Sequence, residues 1–147
     1  MLQKWMFSLV FFLAVLSADA QFRKIPAVVT DAFKAKYANA SGVEWKDRLS
    51  SFEANFRSGE KDMKAFFSSK GEWLKTETKH TYNSLPVEVK DGFKKSKYAE
   101  LSVANVTQID DKDKGVLFKV VVKKNDYNKR NLVFTKAGQL TSDNGSF

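Results

Sequence analysis

The sequence predicts an α+β fold built as a tandem repeat, in which each unit is a helix followed by a four-stranded antiparallel sheet. Three observations support this prediction. A helix-like motif occurs twice, the apolar pattern after each copy changes from a period of 3.6 residues to a period of 2, and each unit ends in a similar glycine turn. Two units of about 60 residues would each be marginally stable alone, so we expect them to share one sheet with both helices on the same face.

The chain begins with the pattern of a signal peptide. Lys4 supplies a positive charge, residues 5–16 are almost wholly apolar, and Ala18-Asp19-Ala20 ends in the small-residue pattern that signal peptidase requires before Gln21. The apolar run of about 12 residues is shorter than the ~20 that span a bilayer. We therefore expect a signal peptide over residues 1–20, cleavage near Gln21, a periplasmic or secreted protein, and no stable membrane span in the mature chain.

The first unit is assigned to residues 21–79. Pro26 marks the start of its helix, because proline tolerates the first helical turn, and Val29, Phe33 and Tyr37 recur on one helical face. Alternation of apolar and polar residues then predicts four strands, over residues 43–49, 52–57, 63–67 and 72–78. Gly71 lies in the tight turn before the last of these strands.

A short connector, residues 80–84, leads into the second unit at residues 85–147. Pro86 marks the next helix start, and the helical pattern runs through Phe93 to Ala99. Four further strands are predicted over residues 104–109, 116–123, 130–135 and 139–142, with Gly138 in the last turn. Because the connector is short, we expect the two units to pack together rather than move independently.

These motifs resemble those of a known family. The family's sequence motifs that occur in this chain are (I/L)-P-x2-V-x-D-x-F-K, V-x-W before a hairpin, an F-x-A-x-F strand, and F-F-S-S-K-G-E-W-L. The chain resembles the PepSY-like family of exported bacterial proteins, described as β-lactamase-inhibitor-like, over nearly all of residues 21–147. The resemblance implies the tandem architecture of β-lactamase inhibitory protein. It does not imply that β-lactamase is the target, and it supplies no catalytic residues.

The second unit departs from the family pattern at two positions. Val106 replaces the tryptophan-type position of Trp45, and Leu140 stands where the first unit has Trp73. Positions that the two units share are helix starts, core anchors and turns, so they report on fold. We therefore expect the unshared positions to be better candidates for function.

The composition favours acidic partners. The chain holds 25 lysines and arginines against 17 aspartates and glutamates, a formal net charge of +8. Such a surface attracts anionic envelope polymers, lipid headgroups or acidic proteins, although a generically basic surface of a soluble protein fits the composition as well. Nucleic acid is a poor partner for an exported chain, and the lysines are scattered rather than clustered.

The sequence contains no recognisable grouping of residues that could perform catalysis or bind a metal ion. His80 is the single histidine, it falls in the connector, and there is no cysteine and no G-x-S-x-G motif. Residues 110–115 partly resemble a calcium loop, but they lack a third carboxylate before the glycine and the closing glutamate, and two lysines oppose a cation. We expect no catalytic residue, no cofactor and no metal site, and a hairpin turn at residues 110–115.

The aromatic residues suggest a binding face. One strand phase, assigned to the helix side, holds Trp45, Phe52, Phe56, Met63 and Phe67. The opposite phase combines aromatic and polar side chains: Phe66, Trp73, Arg57, Asn55, Lys64 and Lys75. Aromatic and cationic residues on an open sheet face are typical of protein-binding hot spots, although Trp73 at the seam between the units would fit the pattern as well.

The sequence therefore predicts an exported, non-enzymatic binding or inhibitor-like protein of unknown target that uses its open sheet face. An exported or envelope protein is the partner expected from the aromatic residues. The alternative is a sensor or binder of anionic envelope polysaccharide or lipid, which would use the basic surface. An enzyme, such as a secreted hydrolase, is the least favoured interpretation.

Overall fold

The computed structural model describes residues 23–145, so the predicted signal peptide and its cleavage site lie outside the described residues. The elements in chain order are α1 (Ala27–Lys36), β1 (Ser41–Arg48), β2 (Ser51–Ser58), β3 (Lys61–Phe67), β4 (Trp73–His80), α2 (Val87–Lys94), β5 (Ser102–Asp111), β6 (Gly115–Lys123), β7 (Lys129–Thr135) and β8 (Leu140–Gly145). All eight strands form one antiparallel sheet in the order in which they occur along the chain.

Both helices begin where proline predicts. Pro26 and Pro86 are the N-cap residues of α1 and α2, and their extended backbones lead directly into the first helical turns. The end of α2 differs from the prediction, because the helix stops at Lys94 rather than continuing to Ala99. Ser96 explains the early end: its hydroxyl donates to the carbonyl of Phe93 at 2.7 Å, and a side chain that bonds the local backbone competes with helix continuation.

Both helices pack on the same face of the sheet. Residues that pair directly across antiparallel strands point to the same side. Ala65 of the first core pairs with Thr76 on β4, and His80, four residues further along β4, pairs with Val106 of the second core. The helix-facing side is therefore continuous from one half of the sheet to the other, and the second face remains opposite both helices.

The two halves have cores of different character. In the first half, the Phe33 ring lies 5.0 Å from Phe56 and 5.3 Å from Trp45, and the predicted helix-side phase is confirmed for Trp45, Phe52, Phe56, Met63 and Phe67. The second core is mainly aliphatic around Phe93, Phe118 and Phe134: Leu85, Val89, Val106, Val120, Val122 and Leu132.

Glycine turns bring each helix close to its own half-sheet. Gly71, between β3 and β4, and Gly138, between β7 and β8, both have a positive φ. A Cβ at Gly71 would lie 2.8 Å from the carbonyl oxygen of Val28 on α1, and a Cβ at Gly138 would lie 2.0 Å from that of Glu88 on α2. Neither turn has room for a side chain, so glycine is required for conformation and for close approach.

The connector begins one residue later than predicted. His80, which we placed in it, is the last residue of β4 and pairs with Val106 on β5. Strand pairing extends to this position because the imidazole packs edge-on against Phe118, with ring centroids 6.4 Å apart. Residues 81–86 then separate β4 from α2.

The hairpin at residues 110–115 is confirmed, since the Asp111 carboxylate accepts from two backbone N–H groups of its own turn.

Candidate binding surface on the open sheet face

The register assigns five of the six predicted binding residues to the face opposite the helices, here called the open face. Phe66 pairs with Glu53 and Lys75, and Lys64 pairs with Asn55 and Glu77. Arg57 lies two residues beyond Asn55 on β2, so it has the same orientation. The predicted positions of these side chains are therefore confirmed: Asn55, Arg57, Lys64, Phe66 and Lys75.

The placement of Trp73 on the open face is wrong. Phe66 pairs with Lys75 but Phe67 pairs with Trp73, so Leu74 is an extra residue in β4 that shifts its phase by one. Trp73 consequently packs beside the first core, where its indole Nε1 donates to Thr76 at 2.8 Å. The Lys36 ammonium lies 4.3 Å from its ring centroid, which adds a cation–π contact.

The positions that differ between the halves are packing positions. Trp45 packs against the first core, Val106 is buried in the second, and Leu140 packs against the second after an irregularity in β8 like that in β4. Each of these side chains packs with the core of its own half, which is aromatic in the first half and mainly aliphatic in the second. The structure gives these positions a packing role, and the expectation that they carry function stays a prediction.

A buried carboxylate organises one end of the open face. Glu53 is only 2% exposed, and it accepts from Arg48 Nε at 2.5 Å and from Asn55 Nδ2 at 2.9 Å. Burial acts to raise the pKa of Glu53, but the hydrogen bonds from Asn55 and Arg48 outweigh it and hold the pKa below its usual value. Asn55 is thereby fixed beside Lys64, so this part of the surface is pre-organised.

The ammonium group of Lys75 is held over the ring of Phe66. Lys75 Nζ lies 4.4 Å from the centroid of the Phe66 ring and 2.7 Å from a carboxylate oxygen of Glu77. The two contacts hold an ammonium group over an aromatic face. A partner that approaches the half-buried Phe66 ring therefore meets an apolar surface edged by positive charge.

The open face is concave at its centre. A cavity of about 410 Å³ opens between β1 and β6, and its walls come from both halves of the chain. Its charged lining comprises four cations and two anions: Arg57, Lys64, Lys79, Lys119, Asp62 and Glu77. Asp62 forms an ion pair with Arg57 at 3.5 Å, and Glu77 pairs with Lys75. The central cavity is therefore basic, and it lies on the face that the register places opposite the helices.

Sequence reasoning missed an apolar strip beside the cavity. Ile109 pairs with Leu117 on the open face, and Val121 and Val133 have the same orientation on β6 and β7. All four side chains are partly buried. The signal was present in β6, whose apolar residues occupy both phases of the strand, since strands covered on two sides lose clean alternation.

His80 lies away from this surface. It has the helix-side orientation, its Nδ1 is 3.0 Å from the hydroxyl of Ser84, and burial together with the nearby charge of Lys61 lowers its pKa. The Ser84 hydroxyl already donates to the carbonyl of Thr81 at 2.9 Å, so this pair lacks the arrangement of a nucleophile and its base. Within residues 23–145, no cluster of three or more metal-ligating side chains occurs, and no helix is long and apolar enough to cross a membrane.

The family follows from comparison with known proteins. A family model described as "Putative beta-lactamase-inhibitor-like, PepSY-like" matches residues 50–142. The chain belongs to the PepSY-like family. The matched region runs from the β1–β2 hairpin into β8, so it includes the apolar strip and all the charged residues that line the cavity. A search of the curated proteins gives no match for this PepSY-like chain.

Solved structures share the fold of this PepSY-like chain. A BLIP-like protein from Bacteroides fragilis is 25% identical, with a TM-score of 0.79 over 86% of this chain and 90% of that one. A DUF2874 family protein from Bacteroides uniformis is 29% identical, with a TM-score of 0.78 over 82% and 88%. A structure from Bacteroides eggerthii described as "putative periplasmic proteins" is 25% identical, with a TM-score of 0.78 over 83% and 89%.

Proposed function

We propose that this PepSY-like chain is an exported, non-enzymatic binding or inhibitor-like protein that captures its partner on the open face. The observation that carries the proposal is the concave, basic centre of a sheet face that lies opposite both helices. Phe66, with Lys75 held over its ring, supplies an aromatic anchor beside the cavity. Membership of a β-lactamase-inhibitor-like family and the BLIP-like neighbour support a binding role, whereas the identity of the target does not follow from them.

Capture of a partner from the periplasmic extract of the source organism tests this proposal. The double variant Phe66→Ala/Arg57→Ala removes an anchor and a cation from the open face, and we expect at least a ~10-fold loss of captured partner, as for hot-spot residues. The matched control is Val87→Ala/Lys94→Ala, which makes the same kinds of change at exposed positions of α2. Equal capture by the two double variants would refute binding through the open face. Trp73 is left intact because its loss would disturb the first core.

Export is part of the proposal. The apolar run at residues 5–16 and the small-residue pattern at Ala18 and Ala20 support cleavage before Gln21, and the neighbour described as periplasmic agrees with that location. Intact-mass measurement on protein recovered from the periplasm should give the chain beginning at Gln21. Recovery of the full 147-residue chain from the membrane fraction would contradict cleavage.

We also propose that the two halves are copies of one unit. Each helix follows a proline N-cap, and each half ends in a hairpin whose positive-φ glycine touches its own helix. An experimental structure should superpose the helix and four strands of one half on those of the other. A different strand order in either half would contradict the proposed duplication.

A second candidate function is recognition of an anionic envelope polysaccharide or lipid. The specific observation in its favour is that Lys64, Lys79 and Lys119 line the cavity without an ion pair among the described residues. Binding of a polyanion should weaken steeply as salt rises from about 50 mM to about 500 mM, because exposed charges are screened. Capture that persists at high salt would instead favour a protein partner anchored by apolar contacts.

The non-enzymatic part of the proposal has its own test. Ser84 and His80 are the closest approach to a catalytic pair on the described surface, and their hydrogen bonds are used within the turn. A broad hydrolase screen on the purified mature chain should give no activity above buffer. Activity that disappears in a His80→Gln variant would overturn this assignment.

A further inference from the structure

We propose that the central cavity of the open face is a carboxylate subsite that receives an aspartate or glutamate side chain from an extended segment of an acidic partner protein. The inference rests on the proposed function, because it names the chemistry of the partner that the open face would bind. It further specifies the spacing in that segment: an acidic residue and an apolar residue separated by one residue of any type.

The charge balance of the cavity calls for an anion. Both carboxylates in its lining are already neutralised, Asp62 by Arg57 and Glu77 by Lys75. Lys64, Lys79 and Lys119 line the same cavity, and none of them forms an ion pair within residues 23–145. Three ammonium groups around one cavity repel each other, and a bound carboxylate relieves that repulsion.

The geometry places the anion above Thr107. Lys79 on β4, Thr107 on β5 and Lys119 on β6 lie in one row across the sheet, because Thr107 pairs with both lysines. Neighbouring strands are about 4.8 Å apart, so the two lysine Cα atoms are roughly 10 Å apart with the short threonine between them. The lysine stems form two walls, and a carboxylate above the threonine can meet both ammonium groups and the hydroxyl.

A carboxylate fits this lining better than a phosphate group. Phosphate sites typically use guanidinium forks, helix N-termini or free backbone N–H groups. The one arginine of the cavity, Arg57, already pairs with Asp62. The backbone of β5 at Thr107 is bonded into the sheet on both sides by its neighbours β4 and β6. Lysine point charges and a hydroxyl remain, and they suit a small monoanion.

The apolar strip defines the neighbouring residue of the partner. Ile109 lies two residues beyond Thr107 on β5, on the same face, and it pairs with Leu117. Two residues of extended chain span about 6.7 Å. A partner segment laid along β5 therefore presents its acidic residue to Thr107 and the residue two positions away to Ile109 and Leu117, which accept an apolar side chain.

A second copy of the chain does not fit as the occupant. The chain has a formal net charge of +8, and its cavity lining holds four cations against two anions. Two open faces brought together would oppose these like charges, which costs free energy and slows association. A different protein with an exposed acidic segment is the complementary partner.

The test is an NMR titration of the mature chain, residues 21–147, with a capped Gly-Ser-Glu-Ser-Leu-Ser-Gly peptide. We expect the largest shifts at Lys79, Thr107 and Lys119. Peptides with Gln in place of Glu, or Ser in place of Leu, should each bind several-fold more weakly. The double variant Lys79→Gln/Lys119→Gln should bind the first peptide about 10-fold more weakly, whereas the matched control Lys34→Gln/Lys94→Gln, on the exposed sides of the helices, should change binding less than about twofold.

Three results would overturn the subsite: equal binding of the Glu and Gln peptides, shifts confined to the helix side, or inorganic phosphate displacing the peptide at a lower concentration than acetate does. Failure of the subsite is distinguishable from failure of the proposed function. If Phe66→Ala/Arg57→Ala abolishes capture but the peptide does not bind the cavity, open-face binding stands and the carboxylate chemistry is wrong. If that double variant leaves capture unchanged, the proposed function itself is wrong, whatever the peptide does.

Discussion

Glu53 organises one end of the open face. It lies on the open face, yet it is almost fully buried because Arg48 and Asn55 fold over it. An ionised carboxylate in such a place is stable only when its oxygens are hydrogen-bonded. These contacts fix Asn55, which lines the cavity, so Glu53 shapes the cavity wall without lining it.

Replacing Glu53 by Gln should therefore destabilise the fold in a pH-dependent way. We expect a loss of about 1.5–3 kcal/mol in the free energy of unfolding at pH 7, the range for hydrogen bonds to charged groups. The pKa of Glu53 is lowered in the folded state, so its stabilising contribution is present above about pH 4.3 and is lost as pH falls through the lower folded-state value. Urea unfolding at pH 7 and pH 3 should show the gap between wild type and Glu53→Gln shrinking in acid.

The control for this prediction is Glu44→Gln, which changes an exposed glutamate on β1. It should alter the free energy of unfolding by less than about 0.5 kcal/mol. An equal effect of the two substitutions would show that Glu53 contributes no more than a surface charge.

At this scale, sequence alternation predicts the orientation of Asn55, Arg57, Lys64, Phe66 and Lys75. It fails at Trp73 for a local reason. Leu74 is an extra residue in β4, and a slip of one residue moves a side chain to the opposite face. An insertion of this kind leaves no mark in the apolar pattern, because leucine fits either face.

Two hairpin turns touch the helices directly. The β3–β4 and β7–β8 turns contact α1 and α2 through glycines that have both a positive φ and no space for a Cβ. The β5–β6 turn also contains a positive-φ glycine, Gly115, but its Cβ position is open. A comparison of the three turns therefore distinguishes two free-energy costs of adding a side chain: the cost of the left-handed backbone conformation and the cost of crowding against a helix.

Alanine substitution should follow the order Gly115, Gly71, Gly138 in increasing loss of stability. Gly115→Ala should cost about 1–2 kcal/mol for the left-handed conformation alone. Gly138→Ala should cost about 2 kcal/mol more, because its Cβ would lie 2.0 Å from the Glu88 carbonyl oxygen. Gly71→Ala should fall between them, and chemical denaturation measures all three. Equal losses would mean that the turns do not press on the helices.

Element positions were largely predictable, since Pro26 and Pro86 mark the helix starts and period-2 alternation marks the strands. The early end of α2 was not, because a serine within an apparently helical pattern can bond either to water or to the backbone. The structure shows Ser96 bonded to the Phe93 carbonyl and accepting from the N–H of Tyr98. Tyr98 packs into the second core, a tertiary contact that helical periodicity does not reveal.

On the scale of the whole molecule, the halves are joined by strand pairing rather than by the connector alone. β4 pairs with β5 from Lys75–Asp111 to His80–Val106. A separated half would leave one of these strands as an unprotected edge and would bury too little apolar surface for its length. Stability is therefore expected to be a property of the complete sheet.

A fragment of residues 21–84 should consequently fail to fold. Its circular dichroism spectrum should be that of a disordered chain, whereas the mature protein should unfold in a single cooperative transition when monitored by both fluorescence and circular dichroism. A well-dispersed NMR spectrum from the fragment would show instead that the first half is an independent domain.

The cavity was beyond sequence prediction for a related reason. Lys79 belongs to the first half, whereas Thr107 and Lys119 belong to the second, and they meet only through the β4–β5 register. Periodicity within one half predicts which face a residue occupies. It does not predict which residue of the other half lies beside it, because that depends on pairing across the seam.

The uninterrupted strand order has a consequence for the shape of any partner. Neighbouring strands in a twisted sheet rotate by about 20–25°, so seven steps from β1 to β8 add up to roughly 150°. The open face is thus strongly twisted rather than flat. A flat protein surface would touch it only along one diagonal. A protruding ridge or loop that follows the middle strands can make continuous contact. The molecule should therefore select its partner by the prominence of one projecting segment, and trimming that segment should abolish binding even if the rest of the partner surface is unchanged.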